Sequence, residues 1–169
     1  MLTIAERCRW AEVAQSVLDV YLTLPEHKGT GGYFTIRQGE LHEMLLCTSL
    51  GEVLIDKQVK YMILSLEKGE RLGVYSSTHV GSYQSRDPEQ RIIGQSDFGD
   101  PWGKWGGAIR AKDFILSFSG LPERADEAVM MVTAIKLGLM EFEDGMMMSQ
   151  ALGVNPFFQD LFYAVERAA

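Results

Sequence analysis

The sequence predicts an α+β domain in which two β-β-α units share one antiparallel sheet with helices flanking it. Three observations carry that expectation. A hairpin followed by a helix occurs twice, over 33–68 and again over 107–140. Each hairpin carries an Ile-Arg pair before its turn, at Ile36-Arg37 and Ile109-Arg110. Between 113 and 119, Phe114, Leu116 and Phe118 alternate with Ile115, Ser117 and Ser119, the period of a strand with two unlike faces. Chance similarity of two short segments, rather than duplication, is the simpler account of the shared dipeptide.

The first helix opens on a capping box, Thr3 with Glu6, and carries an apolar stripe at Trp10, Val13, Ala14, Val17, Tyr21 and Leu24. Pro25 stops it, and 27–32 reads as a loop. Tyr33 to Arg37 is rich in aromatic and β-branched residues, Gln38-Gly39 makes a turn, and Glu40 to Thr48 returns as the partner strand. A second helix is expected from Glu52 to Lys68, with Val59, Met62, Ile63 and Leu66 inward and Lys57, Lys60 and Glu67 in water. Gly69 serves as its C-terminal stop.

From Gly73 to Trp105 no period of 2 or 3.6 persists, apart from a short helix expected around Pro88 to Ile93. Long irregular segments in compact domains tend to carry function, so this one is expected to contact a ligand. Order returns with a strand over 107–110, a turn at Ala111-Lys112, and the strand from Asp113. A helix then starts at Leu121-Pro122 and runs to about Met140, apolar all round and so buried on most sides. Met146, Met147 and Met148 read as an adaptable apolar turn. Asn155-Pro156 caps a C-terminal helix with Phe158, Leu161, Phe162 and Val165 on one face. One domain therefore covers 1–169, with an aromatic extension from about 154.

The totals exclude several classes. Sixteen Lys and Arg against 23 Asp and Glu give a net charge of −7, which argues against nucleic acid. The longest apolar run is far short of the roughly 20 residues that cross a bilayer, so no membrane partner is expected. Cys8 and Cys47 fall on otherwise apolar elements. With no signal peptide and no disulfide framework, they read as buried free thiols in a reducing, cytoplasmic setting.

No catalytic constellation emerges, which leaves enzyme status open. His27, His42 and His79 are scattered, without a second His or Cys at metal-ligand spacing. Glu141, Glu143 and Asp144 are better explained as a solvated helix end than as an ion site. Ser117-Phe118-Ser119-Gly120 lacks the nucleophile elbow. Gly103-Lys104-Trp105-Gly106-Gly107 leads into a strand, not a helix, so it is not a phosphate loop. What remains is a patch of Trp102, Lys104, Trp105, Gly106, Gly107 and Arg110, which suits a planar anionic ligand through stacking and charge. Tryptophans covering a core edge and glycines permitting tight packing stand as the alternative.

Residues 105–110 (Trp-Gly-Gly-Ala-Ile-Arg), 115–123 (Ile-Leu-Ser-Phe-Ser-Gly-Leu-Pro-Glu) and Asp126-Glu127-Ala128 resemble the C-terminal signature of the GlcG/HbpS-like family, which includes haem-binding PduO C-terminal domains. The close match spans Trp105 to Ala128. The order of elements agrees over most of the chain, although its helix after the first hairpin is richer in Met, Leu and Ile and its tail longer. The resemblance implies a profilin-like sandwich, self-association into a homo-oligomer, and binding of haem or another small molecule. On that basis a small-ligand-binding module is expected, taking haem or a small organic acid between the sheet and the 73–105 segment. Lys104 and Arg110 would supply charge, Trp105 a stacking face, Gly106 and Gly107 close backbone approach, and His79 (with the methionines) haem ligation. A scaffold that assembles through Phe158, Leu161 and Phe162 is the rival, and an enzyme acting on a small acid is third.

Overall fold

A computed structural model of the chain describes residues 2–39, 43–75, 78–90 and 102–169. Its elements are α1 (Ile4–Tyr21), β1 (Gly31–Gln38), β2 (Glu43–Gly51), α2 (Ile55–Val74), a short 3-10 turn (Ser82–Ser85), β3 (Ala108–Ala111), β4 (Phe114–Ser119), α3 (Glu123–Lys136), α4 (Phe142–Ala151) and α5 (Phe158–Ala168). The class is α+β, with one antiparallel sheet ordered β2-β1-β4-β3 and helices on both faces. β1 meets β4 in the middle, from Tyr33 opposite Ser119 to Gln38 opposite Phe114. Each β-β-α unit thus contributes one central strand, while α2 and α3 cover opposite faces.

The alternation read in β4 accounts for this layering. Leu116 and Phe118, with Phe34 and Ile36 of β1, pack against Trp10, Ala14, Val17, Leu18 and Tyr21 of α1 and the apolar residues of α3. The capping box forms as expected: the Thr3 hydroxyl accepts from the Glu6 amide, and the Glu6 carboxylate accepts from the Thr3 amide. Every residue from Ala125 to Ala134 is buried, because α3 lies among the sheet, α1 and α5. The opposite sheet face carries Thr35, Ile115, Ser117 and Ser119 and is covered by α2.

Several expectations are corrected. Gly69 does not end the second helix, which continues to Val74. It is buried inside the helix, where an added Cβ would lie 3.4 Å from Arg37 Nε. The inward face of α2 is Leu64, Ser65, Lys68 and Leu72, whereas Val59 is 59 % exposed. The helix is turned because the sheet face beneath it is hydroxyl-rich and takes up polar residues. Glu67, expected in water, pairs with Arg71.

The methionine-bearing stretch is not a turn but α4, whose first turn holds Glu143 and Asp144. Phe158, Leu161 and Val165 are buried against the rest of the chain. Phe158 stacks on Phe142 at 5.7 Å. Of the face assigned to a subunit contact, Phe158 and Leu161 are thus buried within the chain, while Phe162 is half-buried. Cys8 and Cys47 are exposed, not buried; Cys47 lies opposite Thr35 on β2, at the edge of the sheet. His42 and residues 91–93 of the short helix expected after Pro88 lie outside the described residues. Among the described residues, no helix is long and apolar enough to cross a membrane.

Candidate functional site

The site grows out of the polar side of the sheet. Ser117 of β4 donates to the Ser65 carbonyl of α2 at 2.8 Å, and the Ser65 hydroxyl lies 3.3 Å from Ser117 Oγ and 3.4 Å from Thr35 Oγ1. One turn further along α2, this seam reaches Lys68. Its Nζ donates to the Phe118 carbonyl at 2.9 Å and to Asp126 Oδ2 at 2.8 Å. Both side chains are 2 % exposed. The other carboxylate oxygen of Asp126 accepts from the Leu121 amide at 2.9 Å. An ammonium has three donors, so Lys68 retains one beyond the two bonds it makes among the described residues.

Backbone geometry lets the pair form. Gly107 sits at φ +120°, and an added Cβ would fall 2.8 Å from both Lys68 Nζ and Asp126 Cβ. Any side chain there would clash with the ion pair and would also be strained by the positive φ. Gly120 makes the β4-to-α3 turn against the backbone of Gly31 and Gly32, with φ +155°. That turn sets the N-terminus of α3, which no side chain caps, beside Lys68.

A second set of charges holds the other wall. Arg71 donates to the carbonyls of Ser82, Ser85 and Trp105 at 2.8, 2.9 and 2.6 Å and pairs with Glu67 at 2.6 Å. This clamp ties the irregular segment and Trp105 to α2. Arg86 pairs with Glu123 at 2.8 Å and lies 5.6 Å from the Trp105 ring centre. Glu123 Oε2 also accepts from the Gly106 amide at 2.9 Å.

Between these walls opens a cleft of about 570 Å³, lined by Tyr61, Leu64, Lys68, Trp105, the 119–123 turn, Asp126 and Gly29. Burial raises the Asp126 carboxyl to about 6, with Lys68 and the Leu121 amide opposing the shift. Behind it, Glu127 is fully buried and raised by burial to about 7. One Glu127 oxygen takes Asn155 at 2.8 Å and Arg124 at 3.0 Å; the other has no partner among the described residues. Arg124 stacks over Tyr83 at 4.1 Å. The cleft thus offers one buried ammonium with a donor to spare, a carboxyl titrating near neutrality, and an aromatic wall.

The structure separates the residues singled out in the sequence. Trp105 lines the cleft, while Gly106 and Gly107 do not line it but pack against the lining side chains, Gly106 near Glu123 and Gly107 near Asp126 and Lys68. Lys104 pairs through its backbone with Asp87 and does not line the cleft. Arg110 reaches the Leu72 carbonyl at 3.0 Å, also away from the cleft. His79 stacks on Tyr75 at 4.7 Å near the end of α2.

Sequence reasoning missed Lys68, Arg71 and Tyr61, and gave Asp126 and Glu127 only as part of the family signature. A signal for Lys68 was present: it stands four residues after Leu64 and four before Leu72, on the same helical face. Compared with family models, with curated proteins and with solved structures, the chain matches none.

Proposed function

We propose that the protein is a small-ligand-binding module whose cleft takes a small organic acid, its carboxylate meeting Lys68 and the N-terminus of α3. The observation that carries this is the buried Lys68 ammonium, lining an open cleft with one donor unused among the described residues. A helix N-terminus without a capping side chain adds a second attraction for negative charge. Trp105 and Tyr61 supply flat apolar surface for the rest of the ligand. The resemblance to the GlcG/HbpS-like family points to the same class of role.

Haem is the less favoured ligand, because none of the described lining residues is His, Cys or Met, the usual donors to haem iron. Calorimetric titration with acetate, lactate, pyruvate, benzoate and succinate at pH 5.5 tests this choice, alongside haemin followed in the Soret region. At least one acid is expected to saturate at one equivalent, with Trp105→Ala weakening it by about tenfold. Saturable haemin binding with no response to any acid would reverse the choice.

A further inference from the structure

Each charged side chain lining the cleft already has its counter-charge. Lys68 lies 2.8 Å from Asp126, and Arg86 lies 2.8 Å from Glu123. A carboxylate entering beside them leaves the set one negative charge in excess, in a place where Lys68 and Asp126 are almost fully removed from water. Buried uncompensated charge is strongly unfavourable, and the usual escape is a change of protonation.

Three routes restore neutrality: a co-bound cation, a proton on Glu123, or a proton on Asp126. Among the described residues no group of acidic, His or Cys side chains could hold a metal ion. Glu123 accepts from the Gly106 amide and the Arg86 guanidinium, and both bonds favour its ionised form. Asp126 accepts from the Leu121 amide and otherwise depends on Lys68, the same ammonium that the ligand would draw on.

Resting on the small-acid reading above, we propose that the cleft takes up its carboxylate ligand together with one proton, carried by Asp126. Lys68 transfers its interaction to the ligand, and the neutral Asp126 hydroxyl donates a hydrogen bond to the ligand carboxylate. One anion and one proton enter, so the site's net charge does not change. The ligand-free carboxyl, already raised to about 6, is mostly ionised at pH 7, which makes the uptake measurable there.

The groups facing Asp126 are Lys68 from α2, Glu123 from α3 and Tyr21 from α1, with Tyr61 lining the same cleft and Glu127 next along α3. Arg86 acts through Glu123. His27 and Lys28 line an adjoining hollow with Pro122.

The test is calorimetry with each acid of the panel that binds, in phosphate and in Tris between pH 6.5 and 8. Monocarboxylates such as lactate and pyruvate are expected to weaken about tenfold per pH unit from pH 7 to 8. The heat should differ between the two buffers by the equivalent of about one proton. Glu127→Gln should keep that slope, and Asp126→Asn should flatten it. A wild-type affinity that does not change with pH overturns the proposal while leaving the small-acid reading standing. So does a slope that survives in Asp126→Asn. Absence of binding by every acid at every pH refutes the small-acid reading itself.

Discussion

Lys68→Met is the most informative single change. It shortens the side chain by one heavy atom, fills most of its volume, and removes the charge that faces Asp126 at 2.8 Å. Asp126 then stands buried with only the Leu121 amide as partner, and its least unfavourable state is the protonated one. Protonating it at pH 7, against an ordinary value of 3.8, costs about 4 kcal/mol at 1.36 kcal/mol per pH unit. Wild-type Asp126, raised to about 6, already carries about 3 kcal/mol of that cost, so protonation accounts for about 1 kcal/mol of the deficit at pH 7, and the lost hydrogen bond to the Phe118 carbonyl adds to it.

The cost has a characteristic pH dependence. Because wild-type Asp126 itself takes up a proton at about 6, the deficit should grow by about 1.4 kcal/mol for each pH unit above 6 and stay nearly level below it. Urea unfolding of wild type and variant at pH 5, 6, 7 and 8 reads this directly, and Lys68→Met combined with Asp126→Leu should recover most of the loss. A variant as stable as wild type at pH 7, or a deficit that stays constant with pH, would show that the pair is not a buried charge system.

Further outcomes follow from the same geometry. Asp126 and Glu127 both have folded-state values raised by burial. Their contribution to stability is full below their ordinary values and is lost as pH rises through about 6 and 7. Wild-type stability should therefore fall by a few kcal/mol from pH 4.5 to 8 in urea titrations, and Glu127→Gln should flatten the upper half of that decline.

Gly107→Ala places a methyl against Lys68 and Asp126 at positive φ and is expected to lose more than about 1 kcal/mol. Phe158→Ala empties a fully buried ring site and should lose about 3–5 kcal/mol with no change in subunit mass by light scattering. Both Cys8 and Cys47 should react with maleimide in the folded protein, because both are exposed.

Much of the scaffold was legible in local chemistry. The Thr3–Glu6 box, the alternation from Phe114 to Ser119, the glycine turns and the apolar α3 are signals contained within a few residues, so they read directly from the chain. The orientation of α2 was not legible this way. Its apolar residues at Val59, Met62, Ile63 and Leu66 marked one face, yet a different face is inward. The reason is that Thr35 and Ser117, distant in sequence, present hydroxyls that meet Ser65, and the Phe118 carbonyl accepts from Lys68.

The same distance hid the site. Lys68 and Asp126 lie 58 positions apart, and Arg71 and Trp105 lie 34 apart. Sequence alone determined the α+β class, the order of the two hairpin-helix units, and Trp105 with its two following glycines as a place of interest. Only tertiary structure decided which charges are buried together. Burial and charge pairing depend on what folds against a residue, and no local pattern records its partner.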